Sequence, residues 1–303
     1  MTGEEAMRAV ARAENRRVRL IVNADDFGMA RPITDAIIDC HRRGIVTSTS
    51  WMANMPEAEH AARRVREVPG LGVGVHLNLT QGRPLSQPER IPLLVGTDGD
   101  FLPKATQAKR LRADGPIAEQ VRSELAAQIR HALALGIRPT HCDSHHGLHR
   151  LPLVRRAMVD VLQSFGIRCA RTQVEWHRPM RRAPLGALLR CAARNLSLLL
   201  PAIGHYRGRF LIRRAGIRTP DRKLTRGMIY PRLEDPKLQL LACLDNLPRG
   251  VSELILHPGY AAEMIGSPDF APIRALETRL AMDQDVLAAV DRLGIRLVSY
   301  GHL

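Results

Sequence analysis

The stretch RLIVNADDFGMARP, residues 19–32, decides how the rest of the chain is read. It begins as a short apolar run, RLIVNA at 19–24, with the length and branched content of a buried strand. The run ends in Asp25 and Asp26, and Pro32 then opens a helical pattern of Ile33, Ala36, Ile37 and Cys40 that stops at Gly44. A strand that runs out into acids just before a helix is the repeating unit of parallel βα folds, where useful polar side chains collect at the C-terminal strand ends.

Working outward, the same rhythm recurs. Residues 46–52 are β-branched and Thr-rich, residues 56–68 helical, and LGVGVHLNL at 71–79 a third strand. Residues 80–115 are rich in Pro and Gly and read as a long loop of the kind that covers a pocket. A helix over 117–135 leads to PTHCDSHH at 139–146, a short strand running into a polar loop, followed by a helix over 151–165 and a strand over 167–172. After a basic stretch the pattern returns as helix 237–247, strand 251–256, helix 273–293 and a final strand 295–300. The expected architecture is α/β: a single (β/α) barrel over 18–303, distorted or incomplete, carrying a basic helical insertion at 177–232. Residues 1–17 read as a flexible N-terminal segment.

Composition bounds the function. In 303 residues the formal charge is +15, but from 177 to 232 fourteen Lys or Arg face one acid, Asp221, so most of the excess belongs to one segment. Five scattered cysteines without CxxC spacing read as interior thiols of a reducing compartment. Residues 1–17 hold no apolar core of a secretory leader, and no apolar run reaches 18 residues, so a cytoplasmic location is expected. GxSxG, GxGxxG, P-loop and HExxH patterns are absent, which argues against serine hydrolase, dinucleotide, nucleoside triphosphate and zincin chemistry.

Four strand exits carry acids or imidazoles: Asp25 and Asp26; His76 in VGVHLNLT; His141, Asp143, His145 and His146; and His257 in LILHPGY. Asp26, His76 and His145 make a two-histidine, one-carboxylate set with open positions, suited to one divalent ion such as Zn or Mg, with Mn and Co also compatible. Asp25 beside them is placed to take a proton from water that the metal acidifies. By alternation His141 and Asp143 lie deeper, orienting ligands, while His146 and His149 belong to the rim. His257, fixed where Pro258 and Gly259 turn the chain, is the candidate general acid or oxyanion stabiliser. The competing readings are that the two acids cap the following helix, that His76 is a core histidine, and that His257 is a turn residue.

The motifs IVNADDFG, GIVTSTS, VHLNLTQGRPL, PTHCDSHHGLH and HPGY, in this order, resemble the YdjC-like carbohydrate deacetylases, including the chitooligosaccharide and hopanoid-biosynthesis-associated deacetylases. The resemblance implies a barrel-like fold and hydrolysis of the N-acetyl group of an acetylated amino sugar, with Asp26, His76 and His145 as metal ligands, Asp25 as base and His257 as the late pocket histidine. Where the family commonly has DSHHHVH, Gly147 stands in this chain. The expected partner is an N-acetylated sugar or glycolipid, with homo-oligomerisation left open. Residues 185–226, apolar with arginines, read either as a contact with an anionic membrane at its inner face or as a lid packed on the barrel. Nucleic acid is not expected, because the basic stretch is poor in aromatics. A non-sugar acylated amine as substrate and a silent sugar-binding barrel are the alternatives.

Overall fold

A computed structural model describes residues 18–172, 174, 199–225, 235–260 and 271–303. Residues 1–17 and most of the basic stretch lie outside these. The chain runs β1 (Val18–Phe27), α1 (Arg31–Arg43), β2 (Ser48–Trp51), α2 (Ala58–Arg64), β3 (Gly72–Leu77), α3 (Lys104–Arg110), α4 (Ile117–Ala134), β4 (Cys142–Ser144), α5 (Pro152–Ser164), α6 (Leu199–Arg214), β5 (Arg222–Thr225), α7 (Pro236–Asp245), β6 (Gly250–Leu256), α8 (Ala271–Ala281), α9 (Gln284–Arg292) and β7 (Arg296–Leu297).

The strands form one parallel sheet in the order β4-β3-β2-β1-β6-β5, with β7 added beside the start of β1. The sheet curls. Among the described residues its two edges are linked through isolated parallel bridges, Cys142↔Ala170 and Cys169↔Arg218, and through the Lys223 N–H bond to the Val174 carbonyl, with no full strand between β4 and β5. The result is a distorted, incomplete (β/α) barrel. The strand expected over 167–172 is reduced to those bridges. Of the basic stretch, Leu199–Arg214 is helix, while Arg222–Thr225 pairs with β6 and belongs to the barrel wall.

Alternation along the strands separates two apolar layers. Leu20, Val22 and Ala24 of β1, with Val73, Val75 and Leu77 of β3, join the large core between sheet and helices. On the other face Ile21, Cys169, Val251, Val298 and Tyr300 form a small separate cluster that fills the barrel floor. The described cysteines, Cys40, Cys142, Cys169 and Cys243, are buried and free. Two glycines permit close approaches: a Cβ on Gly44 would meet the Ala281 carbonyl at 2.2 Å, and one on Gly74 would meet the His141 ring at 2.3 Å.

Two C-terminal elements differ from their sequence reading. The helix expected over 273–293 is broken in two, because Asp283 turns its side chain onto the N–H groups of Asp285 and Val286 and starts a new helix. The last strand is only Arg296–Leu297, since the chain then bends into a short 3₁₀ turn at Tyr300–His302 that buries Tyr300 in the floor. The expected loop 80–115 contains α3, whose Gln107 donates to the carbonyls of Leu79 and Leu94.

Candidate metal centre

β1 carries Asn23 and Asp25 on the inward face, and simple alternation would send Asp26 outward. It does not go there. Asp26 adopts φ 72°, in the left-handed region, and the β1–β2 register shifts between Ala24 and Phe27. This local bulge delivers adjacent carboxylates to one cavity, at a backbone cost of about 1 kcal/mol that an Asp tolerates better than most residues. Helix α1 has Ala30 at its N-cap with no side-chain bond, so capping accounts for neither acid.

Three donors meet at the mouth. Asp26 Oδ1 lies 3.6 Å from His76 Nε2 and 3.2 Å from His145 Nδ1, and all three are buried. Each imidazole is pinned from behind: His76 Nδ1 lies 2.7 Å from Asp143 Oδ1, and His145 Nε2 lies 3.1 Å from Gln81 Oε1. Both partners are acceptors, so each outer ring nitrogen keeps its proton, and the inner nitrogen beside Asp26 is the one that would offer a lone pair to a metal. Asp26 Oδ1 is buried with no hydrogen-bond partner, an arrangement that is costly unless a cation fills it. Donors each about 2.0–2.2 Å from a tetrahedral zinc stand roughly 3.4 Å apart, close to the spacings seen here. The residues fit a single divalent ion.

A second group of donors, Asp25, His76 and Asp143, is also compact. It is less suitable, because Arg171 already occupies both carboxylates. Its Nη2 and Nη1 donate to Asp25 Oδ1 and Oδ2 at 2.6 and 2.8 Å, Nη1 reaches Asp143 Oδ2 at 2.5 Å, and Nε donates to Glu253 Oε1 at 2.8 Å. An ion placed there would face a buried guanidinium. Asn23 Nδ2 adds bonds to Asp25 Oδ1 and Ser50 Oγ, both 2.8 Å.

Burial works to raise the Asp25 carboxyl, yet Arg171 and then His76 outweigh it and hold the group below the usual range. Asp26 is held well below its ordinary value against burial by His145 and Arg274, whose guanidinium bonds Asp26 Oδ2. Burial lowers His76, but Asp143 and Asp25 overcome it and lift the imidazole to about 9. The pocket therefore favours positive charge at His76, and a metal entering there displaces a proton.

His257 stands at the edge, its Nε2 3.9 Å from Asp25 Oδ2 and its Nδ1 3.6 Å from Glu277 Oε2. Glu277 also accepts from the His257 backbone N–H at 2.6 Å, fixing the turn. Against burial, Glu277 and Asp25 raise the imidazole above its ordinary value.

The other histidines separate from their expected places. β4 ends at Ser144, and His145 starts a 3₁₀ turn broken by His146 at φ 57°, so His145 reaches the centre from a turn and not by strand alternation. Asp143 lies behind His76, its Oδ1 2.7 Å from the ring Nδ1. His141 instead stacks on Tyr300 at 3.7 Å and lies 3.4 Å from Ser50 Oγ, while burial depresses it to about 3. His149 is buried, with Nδ1 2.6 Å from Ser144 Oγ, whereas His146 is the rim residue, 3.0 Å from Thr80 Oγ1.

Sequence reading missed Arg171, Glu253, Arg274, Gln81 and Glu277. A signal existed for two of them: Arg171 interrupts the apolar run 167–172 and Glu253 sits mid-strand in GVSELIL, and charges inside buried strands call for partners. Arg274 and Glu277 lie on α8, where a charged residue is ordinary.

Comparison with known proteins gives a consistent set. Residues 19–292 match the family described as YdjC-like protein. The chain is 30% identical over 287 residues to a carbohydrate deacetylase of Thermoanaerobacter pseudethanolicus, covering 94% of this chain and 98% of that one. It is 30% identical to a carbohydrate deacetylase of Clostridium beijerinckii, covering 93% and 99%. A crystal structure from Enterococcus faecalis V583, described as that of a putative cellobiose-phosphate cleavage protein, superposes with a TM-score of 0.73 at 26% identity, covering 94% and 98%.

Proposed function

The chain belongs to the YdjC-like protein family, and from that premise we propose that it is a metal-dependent deacetylase removing the N-acetyl group of an acetylated amino sugar to give acetate and a free amine. The observation that carries this reading is the convergence of Asp26 Oδ1, His76 Nε2 and His145 Nδ1, with both outer ring nitrogens pinned by acceptors. The full-length relatives named carbohydrate deacetylase support the sugar class.

In this reading Asp26, His76 and His145 hold the ion. A bound divalent cation supplies acidified water and a polarised acyl oxygen. Asp25 Oδ2, ionised and 3.9 Å from both His76 Nε2 and His257 Nε2, accepts the proton that water loses as its oxygen bonds to the acyl carbon. His257, whose imidazole Glu277 raises above its ordinary value, donates to the nitrogen as the C–N bond breaks. Arg171 holds Asp25 in place with two hydrogen bonds, so the base meets water in one orientation.

The test is metal analysis of the purified chain, followed by acetate release from a panel of N-acetylated amino sugars and glycolipids, lipid- and hopanoid-linked ones included. The expected result is one bound divalent ion and release from at least one class. Asp26→Ala and His145→Ala lose the ion, while Asp25→Asn keeps it and loses turnover. Equal loss of metal in all three variants, or acetate release that survives chelation, overturns the assignment.

A further inference from the structure

Helix α6 has an outer face unlike the rest of the described surface. Nine large apolar residues are well exposed among the described ones, and four of them, Ile203, Tyr206, Phe210 and Leu211, fall within this one helix, each at least half exposed. Their spacing puts them on a single stripe. Arg207 and Arg214 share that stripe, and neither is ion-paired among the described residues. The opposite side holds the helix to the barrel: Ile212 is buried, and a Cβ on Gly208 would lie 3.0 Å from Arg155 Nη1. Arg209 and Arg213, to one side, are engaged with Asp221, and Arg213 also with Thr219. The exposed stripe is therefore a feature of a docked helix, with Arg207 and Arg214 set among the apolar side chains.

We propose that this face of α6 is a docking surface for a membrane bearing anionic phospholipid, on which the helix lies in the plane of the interface. Charge decides the occupant. A second copy laid on the same face by a two-fold axis would bring Arg207 and Arg214 against like charges. The chain's own residues 177–198 carry Arg178, Arg181, Arg182, Arg190 and Arg194 and no acid, so they too are the wrong sign. A phosphate-rich surface with an apolar layer beneath it matches both components, since exposed aromatics enter the acyl boundary while arginines meet headgroups. No helix among the described residues is long and apolar enough to cross a membrane. A nucleic acid would satisfy the arginines and leave the apolar stripe wet.

Flotation of the full chain with vesicles of phosphatidylcholine alone, or of phosphatidylcholine with phosphatidylglycerol, tests this surface independently of the reaction. The expected result is binding to the anionic vesicles only, weakened by salt. Tyr206→Ser with Phe210→Ser lowers binding by at least about tenfold, and Arg207→Gln with Arg214→Gln by about fivefold per charge removed. Both variants retain their metal content and circular dichroism. Absence from the anionic vesicles, unchanged binding of both folded variants, or binding of duplex DNA that the apolar double variant leaves intact overturns it.

Discussion

Asp25 and Asp26 are neighbours in the chain and identical in chemistry, yet the two sides of the cavity make them different tools. Asp25 faces a closed network in which Arg171 bonds Asp25, Asp143 and Glu253 and Asn23 bonds Asp25. Asp26 faces the mouth, where Arg274 takes one oxygen and the other is left toward two imidazoles. The Arg171 side leaves an ionised carboxylate in one orientation, and the other leaves a carboxylate oxygen beside two ring nitrogens, where a metal would take the place of a proton. In the proposed reading the partner set is what separates base from ligand, and a single left-handed residue at Asp26 creates the division.

The comparison breaks hardest at Asp25. Asp25→Asn is expected to lower kcat by roughly 10²–10⁴-fold with the metal Kd little changed, measured by acetate release and calorimetric metal titration; a large loss of metal affinity would mean the two sides are one site. Next is Arg171, which compensates three buried carboxylates. Arg171→Met is expected to cost roughly 3–5 kcal/mol in urea unfolding because buried charge is left unpaired, whereas Arg274→Met costs less, since Asp26 keeps His145 and His76 beside it.

A smaller effect sharpens the ligand side. Gln81→Leu removes the acceptor that holds the His145 tautomer, and the metal Kd is expected to rise roughly 10–100-fold with the unfolding midpoint nearly constant. The smallest effect concerns His257. Glu277 raises this imidazole, so its protonated form persists to higher pH than for an ordinary histidine. Glu277→Gln lowers that value, and the alkaline limb of the kcat profile is expected to move to lower pH while the acid limb stays; an unmoved alkaline limb would remove His257 from the acid role.

Much of this was legible in the chain. RLIVNADD reads as a strand with acids at its exit because burial of β1 on both faces demands a continuous apolar run. LGVGVHLNL places His76 inward by period two, and Gly74 on the same face makes the space that His141 fills. The strand expected over 167–172 and the single helix expected over 273–293 differ from the fold: the former keeps only bridges, and the latter yields to a cap at Asp283 that competes with helix continuation.

The sequence by itself determined the alternation of strands and helices, the set of acids and imidazoles at strand ends, and the concentration of positive charge in one stretch. These are local properties, fixed by period, length and residue type. Only the tertiary structure decided that Asp26 turns inward, that His145 arrives from a turn, and that Arg171 and Arg274 each take one of two adjacent carboxylates. Those outcomes join residues as many as 248 positions apart, and no local pattern records which distant guanidinium will neutralise a buried charge once the barrel curls.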